Sequence, residues 1–242
     1  MEKKYKLTEE TINVEGRTLH RIEAVRDFGN VRKGDKGGFI ENESNLSQRG
    51  DCWVYDDAMV CGNADVYGNA KVYDDALVCD DAQVYDNAEV YNNARIYGCA
   101  FVYGDAEVFG DAFVYDNATI SSNANVCDNA MVRGKANVYS HADIRGDAEI
   151  TADTDYIVFK NWWSSGRFFI WTRSNNMWSV GCFYGTGKEL IDKAYKDSDL
   201  SGKEYKRVVD YVNSILNVNE YDNRRKNIKE RLLSKMRKLF GK

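Results

Sequence analysis

Proline is absent from all 242 residues, histidine occurs only twice, and no stretch approaches the roughly 18 apolar residues of a membrane span. A chain of this length without proline takes its turns by some other rule. The six cysteines show no C-x-x-C spacing, which argues against a zinc ribbon and against a disulfide scaffold. The opening "MEKKYKLTEETINVEG" has basic residues but no apolar h-region, so a secretory signal is not expected. The expectation is a reducing, cytoplasmic setting with the thiols reduced, no membrane span, no cofactor and no metal.

Charge is unevenly spread. The net charge of −5 divides into +1 over residues 1–50, −14 over 51–153 and +8 over 154–242. An acidic middle followed by a basic end marks three electrostatic pieces.

The middle piece is a strict repeat. An aliphatic residue recurs every six positions from Val54 through Val60, Val66 and onward to Ile144 and Ile150. Two residues before each stands Cys52 or, from Ala58 to Ala148, alanine, and pairs such as Asp56-Asp57, Gly62-Asn63 and Gly110-Asp111 separate the units. In a strand, alternate side chains share a face, so alanine and the aliphatic residue point inward together. Asn, Asp and Gly tolerate the left-handed backbone needed at a corner. Three such units close a triangular turn of 18 residues, and turns stack as parallel strands.

The pattern A-x-[VI]-x-[GD]-[ND] resembles the hexapeptide-repeat family of left-handed parallel β-helices. The run "GDKGGFIENESNLSQRGDCWVYDDA" (34–58), followed by V-Y-G-N-A units, is similar to hexapeptide proteins of bacteria and phages that are assigned as transferases. The resemblance implies left-handedness and a homotrimer. It also implies that an acyltransferase here would need a histidine base beside an acyl-carrier groove between subunits. The expected fold is mainly β: a left-handed parallel β-helix of five to six triangular coils, an N-terminal β cap, and a C-terminal α+β region ending in a basic amphipathic helix. The expected divisions are 1–51 for the cap, 52–154 for the β-helix, 155–220 for the α+β domain and 221–242 for the basic helix.

Residues 18 apart stack on one wall. One wall carries Trp53/Tyr55, Lys71/Tyr73, Glu89/Tyr91 and Glu107/Phe109 outward, and another carries Asp65/Tyr67, Gln83/Tyr85 and Phe101/Tyr103. A third is more apolar: Met59, Leu77, Arg95, Tyr97, Phe113, Tyr115, Met131 and Arg133. An outward apolar strip calls for a cover, whether a second subunit, the C-terminal helices or a foreign protein. Asp56, Asp57, Asp74, Asp75, Asp111, Asp128 and Asp147 gather on one edge. They serve as corner residues, or as an acidic rod imitating nucleic acid.

At the ends, "TINVEGRTLHRIEAV" predicts a hairpin turning at Glu15-Gly16. The stretches "DYIVF", "RFFIWTR" and "MWSVGCF" predict strands, with a turn at Ser174-Asn175-Asn176, and "GKELIDKAYK" and "GKEYKRVVDYVNSILN" predict helices. The basic tail "NRRKNIKERLLSKMRKLFGK" offers one apolar face, with the acidic coil, nucleic acid or a membrane surface as candidate partners.

Candidate chemistry is sparse. "GCFYGTGKEL" is not a phosphate loop, because Cys182 and Glu189 stand where Gly and Ser or Thr are required. Gly185, Thr186, Gly187 and Lys188 at a helix start are an anion-binding candidate. Cys182 as a nucleophile lacks a nearby histidine in sequence. His141, in the corner "VYSHA", is the candidate base for acyl transfer, though it fills a slot that normally turns the chain. Metal-binding relatives of this fold use three histidines, one more than this chain has. The leading expectation is a non-enzymatic interaction protein, phage-borne in origin, presenting acidic and aromatic walls to a macromolecule. The alternatives are an acyltransferase and a nucleic-acid mimic or binder.

Overall fold

Every sixth residue from Gly50 to Gly146 adopts a left-handed backbone, with φ between +50° and +75°. All are Gly, Asp, Asn or Ser, small residues or ones whose side chains bond locally. These corners set the molecule's course in the computed structural model, which describes residues 3–162 and 165–216. Between corners run seventeen two-residue strands, β4 (Trp53–Val54) to β20 (Glu149–Ile150). They follow β1 (Tyr5–Val14), β2 (Arg17–Ala24) and β3 (Lys36–Ile40).

Strands 18 residues apart pair in parallel and in register, for example Val54 with Val72 and Val90 with Val108. The ladder continues through the corners, where Asp75 N donates to Asn92 O at 3.0 Å. The result is a β-solenoid of about six turns with three walls. Every inward alanine from Ala58 to Ala148 and every aliphatic residue from Val54 to Ile150 is fully buried. The spelling read from the sequence is therefore the core.

The coil reaches upstream of residue 52. Phe39 and Ile40 pair in parallel with Met59 and Val60, and Leu46 bridges to Val66. The hairpin β1–β2 turns at Glu15 (φ +51°) and Gly16 (φ +84°), where the sequence placed it. It extends the same sheet, giving the order β1-β2-β3-β5-β8-β11-β14-β17-β20, in which the members after β3 begin at Met59, Leu77, Arg95, Phe113, Met131 and Glu149.

Two local expectations are corrected. Trp53 was expected on an outer wall, but it is buried edge-on against Tyr5 at 6.0 Å and Phe28 at 5.3 Å between ring centroids. The N-terminal segment wraps over it, bringing the buried Lys4, whose Nζ donates to Cys52 O at 2.8 Å and lies 3.2 Å from Cys52 Sγ. Burial lowers the Lys4 pKa and raises that of the Cys52 thiol. Second, Cys61 and Cys79, expected as reduced thiols, are joined in a disulfide with Cα atoms 4.7 Å apart. Rung stacking puts their Cα atoms within the span a disulfide bridges.

The described chain forms two compact units: 3–161 with 167–184, and 162 and 165–166 with 185–216. In the first, β21 (Tyr156–Lys160), β22 (Phe168–Thr172) and β23 (Met177–Val180) pair antiparallel and lie against the last turn. Ser179 Oγ donates to Asp143 Oδ2 at 2.7 Å, Glu149 N donates to Ser174 Oγ at 2.7 Å, and Asn175 Nδ2 donates to Asp147 Oδ1 at 3.1 Å. The fourth strand, β24 (Phe183–Thr186), leads into α1 (Gly187–Asp197) of the second unit, where a further helix covers 199–216. The predicted basic helix 221–242 lies outside the described residues. Among the described residues no helix is long and apolar enough to cross a membrane.

Candidate functional site

The apolar wall is partly roofed by the chain's own hairpin, a cover other than the second subunit, C-terminal helices or foreign protein expected from the sequence. Leu19, Phe39, Cys61 and Cys79 form a buried cluster into which Ile12, Val14, Met59, Leu77 and Tyr97 pack. Alternation explains the split: Leu19 turns to this outer cluster while its neighbour-but-two Ile22 joins the solenoid core. Arg21 fixes the roof, donating to Glu10 at 2.6 Å and Asp57 at 2.9 Å and lying 4.1 Å over the Phe39 ring. Arg17 adds a bond to Glu41 at 2.9 Å, and Glu41 also accepts from Gly62 N at 2.7 Å.

Beyond the hairpin tip the strip is uncovered within its unit. Phe113 is 36% exposed, and Arg95 is exposed with its guanidinium 5.9 Å from the Phe113 ring centre. Tyr115 donates to Met131 Sδ at 3.2 Å, and Arg133 pairs with Glu149. Where roof and strip meet, a groove of about 510 Å³ opens. Its floor is Met59, Leu77, Arg95 and Phe113, its near side is Asn13, Val14 and Glu15, and its far edge is Asp75, Asn93 and Asp111. The structure thus joins members of the predicted wall to members of the predicted acidic edge. The hairpin tip completes the enclosure, and no sequence signal tied it to Met59.

The acidic edge has an architectural account. Asp74 Oδ2 accepts from Asn92 N at 3.1 Å, Asp128 Oδ2 accepts from Gly146 N at 3.0 Å, and Asp56 Oδ2 reaches Asp74 N at 3.4 Å. Each left-handed aspartate holds the backbone of the next turn. Asp57 pairs with Arg21, Asp111 accepts from Asn93 Nδ2 at 3.0 Å, and Asp147 anchors Asn175. Asp75 makes no side-chain hydrogen bond or ion pair among the described residues.

The aromatic ladders on the other walls are continuous stacks. Tyr67, Tyr85 and Tyr103 stand 4.8 and 4.9 Å apart, and Tyr73, Tyr91 and Phe109 stand 4.7 and 4.8 Å apart, with ring planes within 5° of parallel. Rings stacked this way turn edges to solvent, whereas stacking a nucleobase needs an open face. Tyr73 and Tyr91 donate to Glu89 and Glu107, both at 2.9 Å. Burial, reinforced by those bonds, raises both phenol pKa values.

The candidate chemical residues lie apart. His141 is exposed at a corner, its ring stacked on Phe168 at 4.1 Å, with Lys160 Nζ 4.0 Å from that ring's centre. His141 has no hydrogen-bond partner among the described residues. Cys182 is exposed in the turn before β24. At the start of α1, Thr186 caps the helix by accepting from Glu189 N, while Glu189 Oε2 accepts from Thr186 N at 2.9 Å. The helix end that carries Gly185, Thr186, Gly187 and Lys188 thus holds a carboxylate from its own chain.

A family model described as the YdcK β-solenoid repeat matches residues 82–98. A protein of Escherichia coli (strain K12) named "Uncharacterized acetyltransferase YdcK" is 40% identical over 52 residues, which cover 19% of this chain and 16% of that protein. The two matches cover only part of the chain, and what they share with the structure is the stacked, six-residue-periodic β-solenoid turn.

Proposed function

We propose that this chain is a non-enzymatic binding protein whose outward apolar strip receives a macromolecular partner. The observation that carries the reading is the strip itself, roofed from Met59 to Tyr97 by the hairpin and left uncovered in its unit at Arg95 and Phe113. A surface of this kind serves association. The groove beside it is lined without histidine, cysteine or serine. The test is capture of partners from the source cell by the full chain and by a Phe113→Arg/Met131→Glu variant, with native mass measured for both. A partner, or a trimer of the chain itself, held by the wild type and lost in the variant supports the reading. Identical retention overturns it.

A second reading, acetyl transfer, is favoured by the name of the Escherichia coli relative. His141 is then the candidate base. Release of free thiol from acetyl-coenzyme A with the acetyl group recovered on an added amine acceptor, abolished by His141→Ala, would establish this reading and displace the first.

A further inference from the structure

We infer that the groove beneath the hairpin tip receives an extended peptide in which lysine or arginine alternates with apolar residues. This deepens the binding reading above and rests on it.

Charge and spacing in the groove select such a ligand. Glu15, Asp75 and Asp111 line the groove against the single cation Arg95. None of these carboxylates is in an ion pair among the described residues, although Glu10, Glu41 and Asp57 on the same hairpin and its surroundings all are. Apart from Arg95 the floor between them is apolar, Met59, Leu77 and Phe113, with Val14 at the near side. Asp75 and Asp111 stand two turns apart on one edge, about 10 Å at the spacing of hydrogen-bonded strands. A compact cation reaches one of them. An extended chain rising about 3.4 Å per residue puts alternate side chains on one side about 7 Å apart, and lysine stems cover the remainder. Residues between the cations then turn toward Leu77 and Phe113. Arg95, which the apolar floor surrounds, is placed to donate to a peptide carbonyl. Asn93, between the two aspartates, spends its amide on Asp111 and adds no charge.

The experiment is fluorescence anisotropy of the full chain with two labelled pentapeptides, Lys-Phe-Lys-Leu-Lys and Glu-Phe-Glu-Leu-Glu. The lysine peptide is expected to bind, to weaken as salt rises, and to lose about tenfold in affinity to an Asp75→Asn/Asp111→Asn variant, the scale of two part-exposed ion pairs. Phe113→Ala is expected to weaken it as well. Equal binding of both peptides, no binding of the lysine peptide, or affinity unchanged in the Asp75→Asn/Asp111→Asn variant overturns the inference. The last result, with capture still lost in Phe113→Arg/Met131→Glu, leaves the strip as a docking surface and removes only the groove. Acetylation of the lysine peptide when acetyl-coenzyme A is added, with its thioester cleaved and the free thiol released, keeps the groove and sinks the non-enzymatic reading.

Discussion

Replacing Asp74 by alanine removes an acceptor while leaving the backbone in a conformation that alanine resists. Asp74 sits at φ +57°, and its Oδ2 receives both Asn92 N at 3.1 Å and Asn92 Nδ2 at 2.8 Å. A hydrogen bond contributes about 0.5–1.5 kcal/mol net, and these lie at the surface, so the lower half of that range applies. The left-handed backbone costs an ordinary L-residue roughly 1–2 kcal/mol, part of which aspartate already bears. Asp74→Ala is therefore expected to destabilise by about 1–2 kcal/mol. Asp74→Asn keeps an acceptor oxygen and a residue suited to the corner, as Asn92 on the next turn demonstrates at φ +55°. It is expected to cost no more than about 0.5 kcal/mol. Urea unfolding of the two variants, read from midpoints at unchanged slope, measures the difference. If asparagine costs as much as alanine, or alanine nothing, the corner carboxylates are not holding the turns together, and their charge has to be explained by a partner.

The remaining predictions are local. A Cβ on Gly38 would lie 2.4 Å from Ala58 O and 2.7 Å from Val54 Cγ1, so Gly38→Ala should lower stability by about 1–3 kcal/mol or more; a thermal midpoint equal to wild type would show that β3 is not seated as described. The Glu41 carboxyl is held below the usual range by the bond from Gly62 N, against some burial, and by Arg17. Its folded pKa is depressed, so its contribution is complete above the unfolded value of about 4.3 and fades as pH falls through the folded one. Acid titration below pH ~4 should loosen the hairpin tip, seen as faster amide exchange near Val14, and Glu41→Gln should remove that pH dependence. Denatured without reductant, the protein should show four free thiols, Cys52, Cys99, Cys127 and Cys182; six would mean that Cys61 and Cys79 are unlinked. Breaking that 18-residue link should cost about 3 kcal/mol.

What the sequence made legible was whatever repeats. Ala58 to Ala148 and Val54 to Ile150 could be placed because each position is tested by its neighbours 18 residues away. The Glu15-Gly16 turn was legible from local chemistry alone. Trp53 was not, because its burial depends on Tyr5 and Phe28, which carry no mark of where they pack. The groove was half legible: Asp75, Asp111, Leu77 and Phe113 were all singled out, but as separate surfaces. Their union depends on the hairpin tip, whose docking against Met59 is a long-range contact with no periodicity to announce it.

The C-terminal sheet grips the last turn at particular walls, through Asp143 and Asp147, while the hairpin grips the first through Asp57 and Glu41. The molecule can therefore change length only in whole turns. Inserting six or twelve residues would rotate every later side chain onto a different wall and present the closing sheet with the wrong partners. Inserting eighteen above Phe113 would leave both ends fitted and lengthen the apolar strip by one step. A lineage of such proteins can adjust the reach of its surface like a ruler with one fixed graduation, while the groove under the hairpin stays as it is.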